Sequence, residues 1–583
     1  MKDLDGNPCL SQEAISERMH NHFAIQFKSP DNWEPPRWVY GEFPNNHLRH
    51  IDALGLKPAI SNMKSGKSCS RFDLVVAEMV KPLLEVSEQD NSSKIEPVRE
   101  VLREALLNDL LGRKTGQAQA RHRLKESDAP LCLLPPAERQ RTRQDWRRSG
   151  TNSGTFKIDV EVCLLPKGTV VSCPKELRPI SLAPVLRKLL GDLALAKTQG
   201  LLKETGARQF ACKSGCQNDD LTLLIRMLGQ RSMEWRVPFL LGVTDMPKCF
   251  DEVGHSFLLE AILHMGVDRA IAAWFVREAR SSVLHLRLGG VDVPLVCVAR
   301  GIPQGSRYGP SLCAAVLHCC IEPAWKSCRR DRLGYRQGDQ YIPFVLFCDN
   351  IFILAHDAND VLEILSRLQF ALVMGGWRLP DDRIAYQINK YVGDVRGTQL
   401  KEYKEEPRGT SFKALGSMIN AAGTCHADIA VKRRGCSSAI EKQRSLWQCP
   451  RVSRQKKLSL MHEVATSNYS CCVGAWIVNQ RELSSLKAAF TKAAKSVLRV
   501  PRKQGDTDEA YHRTCNRILR DTIIEGWAAV VDVYALRRMH DYTGHLVRAI
   551  RWDPEHLVGA VILRGDSEWK CNMTDTIGLQ GHP

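Results

Sequence analysis

The chain of 583 residues contains no run approaching the ~18 consecutive apolar residues that a membrane-spanning helix requires. Its opening stretch, MKDLDGNPCLSQEA, also lacks the apolar core of a secretory leader. The expectation is a protein of the nucleus or cytoplasm, with no membrane partner. Zinc-type cysteine spacing is missing too: there are 21 cysteines, yet no two form a C-x-x-C pair. Cys319-Cys320 and Cys471-Cys472 fall in apolar runs expected to be helical, where cysteine serves as a small hydrophobe. Reduced thiols and no structural zinc site follow, and Cys571 and His582 in the tail have no further cysteine nearby. Negative charge is also in short supply. Lys and Arg number 82 against 65 Asp and Glu, a formal net charge of +17. That surplus favours a polyanionic partner, most simply nucleic acid, although dispersed lysines would give the same count. The hydrophobic fraction of 43% is that of an ordinary globular protein, and the length suggests roughly two to four domains.

What is present centres on Tyr341 to Asp357, YIPFVLFCDNIFILAHD. Two apolar runs, Ile342 to Phe347 and Ile351 to Ala355, flank a Cys348-Asp349-Asn350 break, the pattern of two buried strands joined by a tight hairpin. An acid at the tip of a buried hairpin is costly to desolvate without a cation or hydrogen bonds, though it can also serve as plain turn chemistry. A second buried-strand run, Val237 to Val243, delivers Asp245 at its end, followed by Phe250-Asp251. Carboxylates at the ends of adjacent strands can share a pair of divalent ions, an arrangement suited to phosphoryl transfer. The tips at Asp245 and Asp349 are therefore expected to meet in space. Between them lies Gly301 to Ser306, GIPQGS, a Gly/Pro loop opening a long apolar helix. Its glycines permit close backbone approach to a ligand, and Gln304 offers both a donor and an acceptor.

DMPKCFD (Asp245 to Asp251), GIPQGS and FCDN (Phe347 to Asn350), in this order, resemble the reverse transcriptase of LINE-like (non-LTR) retrotransposons. The resemblance covers roughly Phe156 to Trp552. It implies an α+β, right-hand polymerase: fingers, a palm with an antiparallel sheet, and a helical thumb. It also implies RNA-directed DNA synthesis, with an RNA template, a DNA primer and deoxynucleoside triphosphates as partners. Asp245 and Asp349 would hold two Mg²⁺, with Mn²⁺ tolerated, and Asn350 would complete the catalytic hairpin. Asp251 would tie its motif to the palm. Phe250 would lie beneath the incoming sugar and exclude a 2′-hydroxyl. Gln304 and Gly305 would hold the nascent pair.

Upstream, LPKG and RPISL resemble the family's fingers, placing Lys167 and Arg178 against the triphosphate or template. Downstream, FKALGSMI from Phe412 resembles its primer-gripping strand, with Leu415 and Gly416 at the turn. Lys432, Arg433, Arg434, Lys442 and Arg444 make the following helical region basic, as a thumb laid on a duplex should be. The tail from Ala535 to Arg548 resembles the family's R-L-R-x-x-G-H-x-x-R segment. On this basis residues 1–150 form a partly helical, partly disordered extension, and 151–410 the fingers and palm. Residues 411–560 form the thumb and C-terminal region, and 561–583 a tail. In the extension, Ser11 to Phe27 reads as an amphipathic helix with Ile15, Met19, Phe23 and Ile25 near one face. Pro97 to Leu111 reads as a second helix. Arg121 to Arg148, with five arginines around Trp146, is either a phosphate-contacting patch or a solvated linker.

The pattern is broken in three places. Asn350 stands where most relatives carry a second Asp, which leaves a carbonyl ligand without its negative charge. Gln209-Phe210-Ala211 replaces a Q-x-G-F-R segment, and Gly375 to Pro380 lacks the Asn and Lys of G-L-x-x-N-x-x-K. The alternative to an active polymerase is a catalytically decayed or domesticated copy that binds nucleic acid. An RNA-dependent RNA polymerase would instead incorporate ribonucleotides, against which Phe250 argues.

Overall fold

A computed structural model describes residues 11–28, 33–40 and, short gaps aside, 158–561. The proposed helix at Pro97 to Leu111, the arginine-rich stretch and the tail cysteine lie outside the described residues. The chain divides into two compact units that interleave along the sequence. One comprises residues 1–204, 248–320 and 372–377, and the other residues 205–247, 321–371 and 378–583. The architecture is mixed α+β in both.

In the first unit a sheet runs in the order Leu177–Leu182, Ile158–Pro166, Ser282–Leu288, Val291–Asp292, with Val296–Cys297 also paired to Ser282–Leu288. Ile158–Pro166 is antiparallel to Leu177–Leu182 and parallel to Ser282–Leu288. Every second residue of the central strand, Val160, Val162 and Leu164, points into a core shared with Leu284 and Leu286. The Gln12–Gln26 helix closes that core. Ser11 caps it by accepting the Ala14 N–H at 3.1 Å. Its Met19 and Phe23 are fully buried, each contributing roughly 1.5–3 kcal/mol of transfer free energy. Ile25 departs from the expected stripe: it is 71% exposed, while Gln26 is buried. A 3.6-residue period carried on from Met19 and Phe23 passes through Gln26, not Ile25.

The second unit contains a five-stranded sheet in the order Lys404–Glu405, Ala385–Ile388, Leu240–Asp245, Asn350–Ala355, Phe344–Phe347. Leu240–Asp245 is central, and both its neighbours are antiparallel to it. Ile351 through Ala355 and Phe344 through Leu346 are all fully buried. The sequence shows no alternation there because both faces of the sheet are covered. The expected strand from Ile342 to Phe347 is in fact two pieces. Pro343, with no N–H to donate, separates Phe344–Phe347 from Gln340–Ile342, which pairs instead with Tyr335–Gln337.

The C-terminal helices His426–Lys442, Arg454–Tyr469, Gln480–Leu498, Asp508–Gly526 and Val531–Trp552 follow. They enclose a core that includes Trp447, Met461, Trp476 and Phe490. A buried ion pair ties them to the Asn218–Glu234 helix. Arg226 Nη2 donates to Asp428 Oδ2 at 3.0 Å, and the same oxygen accepts from Trp476 Nε1 at 2.7 Å. Removing one partner would strand a charge in the interior. Cys471 and Cys472 are not helical, contrary to expectation; they occupy a turn. Among the described residues no helix is long and apolar enough to cross a membrane.

Candidate active site

The central strand Leu240–Asp245 ends at the place where its two neighbours begin. In register, Asp245 faces Asn350, and the Met246 N–H donates to the Asp349 carbonyl at 2.8 Å. This is a non-hydrogen-bonded antiparallel pair, whose Cα atoms stand about 4.5 Å apart with side chains on one face. Asp349 precedes Asn350 in a two-residue turn whose first position, Cys348, has φ +55°. A two-residue hairpin requires such a positive angle, which is strained for a residue bearing a Cβ. Asn350 Nδ2 donates to Asp349 Oδ1 at 3.1 Å. All three side chains are half-exposed.

The turn is held from below by Gln209. Its Oε1 accepts the N–H groups of Cys348 and Ala211, both at 3.0 Å, and the side chain is buried. Phe210 N–H to Leu346 O (2.9 Å) and Leu346 N–H to Arg208 O (2.7 Å) fasten the same segment to the hairpin strand. Sequence reasoning registered Gln209 only as part of an altered motif. The contact depends on tertiary pairing across more than a hundred residues, which local pattern does not reveal.

Across the other edge of the central strand lies Arg383. Ala385 pairs with Val243, and Arg383 lies two residues ahead of that pair, in the 3-10 turn Asp381–Arg383. Its Nη1 donates to Asp245 Oδ2 at 2.6 Å, with both side chains nearly half exposed. This residue was also missed, because its only signal is the position of one arginine relative to a short strand.

The residues assigned to nucleotide binding belong to the first unit. Asp251 is buried there and accepts from Gln26 Nε2 at 2.9 Å and Gln304 Nε2 at 2.8 Å. Burial pushes its carboxyl up to about 6 despite those donors and the nearby Lys248. Gln304 thus spends its side-chain amide nitrogen on Asp251, while its main-chain carbonyl accepts the Ser181 N–H at 2.6 Å. Gly305 has φ +97°, and a Cβ there would lie 2.6 Å from the Ser181 carbonyl, so only glycine lets the loop lie on the RPISL strand. Phe250 is half-buried, and its carbonyl accepts the Ile302 N–H. Lys167 is exposed and donates to the Lys175 carbonyl at 2.7 Å, and Arg178 is exposed on the paired strand.

Leu415 and Gly416 form the two-residue turn between Phe412–Ala414 and Ser417–Ile419, both at positive φ (+56° and +72°). That is the conformation of a type I′ turn. The Leu415 carbonyl accepts Asn218 Nδ2 at 2.6 Å. Lys432, counted among the duplex-facing cations, is instead buried, donating to the Cys471 and Gly416 carbonyls. It braces this hairpin, since burying a lone ammonium without such acceptors would be prohibitive.

The donor set fits a divalent ion of the magnesium type. Two carboxylates and one amide converge at the strand ends, and Mg²⁺ is ordinarily held by one or two carboxylates with substrate phosphates completing its shell. Among the described residues no cluster of three or more His, Cys, Asp or Glu forms an all-protein metal cage.

Strand ends that bring Asp245 beside Asp349 and Asn350 are an arrangement suited to phosphoryl transfer. The family described as reverse transcriptase (RNA-dependent DNA polymerase) matches residues 165–388, so that stretch is similar to a reverse transcriptase domain. The Pol polyprotein of the type-1 retrotransposable element R2 of Popillia japonica is 27% identical over 204 residues, covering 34% of this chain and 27% of that protein. The R2 counterpart of Nasonia vitripennis is 25% identical over 216 residues, covering 37% and 20%. The match thus spans about a quarter or less of these relatives' length. Among solved structures, a Candida albicans telomerase in complex with a fragment of telomeric RNA superposes with a TM-score of 0.32 at 12% identity, covering 64% of this chain and 63% of that one. An apo telomerase from Candida tropicalis gives 0.33 at 11%, covering 46% and 54%. Superposition this loose says nothing of the chain's ligands.

Proposed function

We propose that the chain is an RNA-directed DNA polymerase of a non-LTR retrotransposon, extending a primer 3′-hydroxyl with deoxynucleotides on an RNA template. The observation that carries this reading is the in-register pairing of Asp245 with Asn350, next to Asp349, at the ends of buried strands in a reverse transcriptase domain. Asp245, Asp349 and the Asn350 carbonyl would hold Mg²⁺, which supplies activation of the hydroxyl and charge neutralisation at the leaving pyrophosphate. Gln209 keeps the turn in its strained shape. Phe250 walls the sugar site, Lys167 and Arg178 attract the triphosphate, and the Leu415-Gly416 turn supports the primer end.

Primer extension on an RNA template, with purified full-length chain, tests the proposal. Asp245→Ala and Asp349→Ala should each lower the rate at least about 100-fold while RNA binding persists. A wild type that binds RNA but never extends a primer would instead support a polymerase-shaped binding protein, the reading that Asn350 keeps open.

A further inference from the structure

Asp245 is contested. Its Oδ2 accepts from Arg383 at 2.6 Å, and a carboxylate oxygen engaged by a guanidinium cannot offer the same lone pair to a metal ion. The contact is built into the fold rather than incidental to a loop. Asp245 ends the central strand, Asn350 stands across from it on one neighbouring strand, and Arg383 reaches it from the 3-10 turn that leads into the other. The 3-10 turn Asp381–Arg383 is closed by the Arg383 N–H on the Pro380 carbonyl, and Ile384 follows directly into the sheet. Asn350 sharpens the effect. With an amide in place of a second carboxylate, the strand ends present two acids, and Arg383 offsets one of them.

We infer that Arg383 is a positioning residue that competes with the divalent ion for Asp245, so that metal and nucleotide load together by ion exchange. This inference rests on the polymerase reading above. A bare cation must displace the guanidinium and leave it unpaired beside a second positive charge. A metal-bound triphosphate brings both partners at once: the cation takes Asp245, and the phosphates take the guanidinium, which pairs well with phosphate oxygens. No charge is left unmatched, and the cost that discourages metal alone disappears. By linkage, nucleotide and metal then raise each other's affinity.

The test is Mn²⁺ binding to the nucleotide-free, full-length protein, followed by electron paramagnetic resonance for wild type, Arg383→Gln, Arg383→Lys and Asp245→Asn. Arg383→Gln should bind Mn²⁺ roughly three- to tenfold more tightly than wild type, and Arg383→Lys should stay near wild type. In primer extension, Arg383→Gln should show the opposite sign, its deoxynucleotide KM rising about fivefold, with Arg383→Lys partly restored. A merely structural arginine would not tighten one ligand while weakening the other. Unchanged or weaker Mn²⁺ binding in Arg383→Gln, or an unchanged KM, overturns the exchange. If Asp245→Asn meanwhile loses the ion, the metal site itself stands. Mn²⁺ binding indifferent to Asp245→Asn overturns the site assignment and this inference together.

Discussion

Asn350 is the residue on which the chemistry turns. It faces Asp245 directly, and its amide nitrogen points at Asp349. To ligate an ion it must present its oxygen instead, which a rotation about its terminal bond achieves. Asn350→Asp would add a full negative charge directly across the strands from Asp245. It should lower the Mg²⁺ concentration for half-maximal primer extension about three- to tenfold, read by metal titration at fixed nucleotide; an unmoved midpoint would show that the amide costs the site nothing. At this scale the sequence was legible where motif and local order coincide. Asp245, Asp349 and Asn350 could be placed together because short apolar runs announce strand ends. Arg383, Gln209 and Gln26 could not, since each acts on a partner brought near by strand register or helix packing. Lys432 misled for the opposite reason: a lysine on a helix reads as solvated until its acceptors, the Cys471 and Gly416 carbonyls, are seen.

At the scale of elements, hairpins carry the exacting geometry. The Leu415-Gly416 turn holds two left-handed residues, only one of them glycine, and a Cβ on Gly416 would stand 2.6 Å from Cys471 Sγ. Gly416→Ala should therefore destabilise the fold by about 1–3 kcal/mol. Leu415→Gly, which relieves a strained φ, should remain within about 1 kcal/mol of wild type. Thermal unfolding separates the two, and equal losses would rule out the turn geometry as the cause. The strand break at Pro343 was available from the missing N–H, but was outweighed by the apolar run on either side. Cys471-Cys472 show the converse, an apolar stretch taken for helix whose backbone turns instead.

For the whole molecule, stability is tied to pH through Asp251. Its carboxyl titrates near 6 in the folded protein against an ordinary value near 4. Below about pH 4 both folded and unfolded forms are protonated, and the group has no effect. As pH rises from about 4 to about 6 the unfolded chain ionises first, so stability is lost, on the order of 2–3 kcal/mol, and stays lost above that range. The difference in denaturation free energy between wild type and Asp251→Asn should change by that amount across this window and be flat above it; a constant difference would mean the buried acid is already ionised at pH 4. The broad plan, α+β with a palm-like sheet and C-terminal helices, was available from the resemblance that the three motifs carry. The division into units was not, because it depends on which distant segments pack together. The backbone passes between those units five times. Any single contiguous deletion long enough to remove one of them would also tear pieces from the other. Neither unit can therefore be cut out whole as one continuous piece of chain.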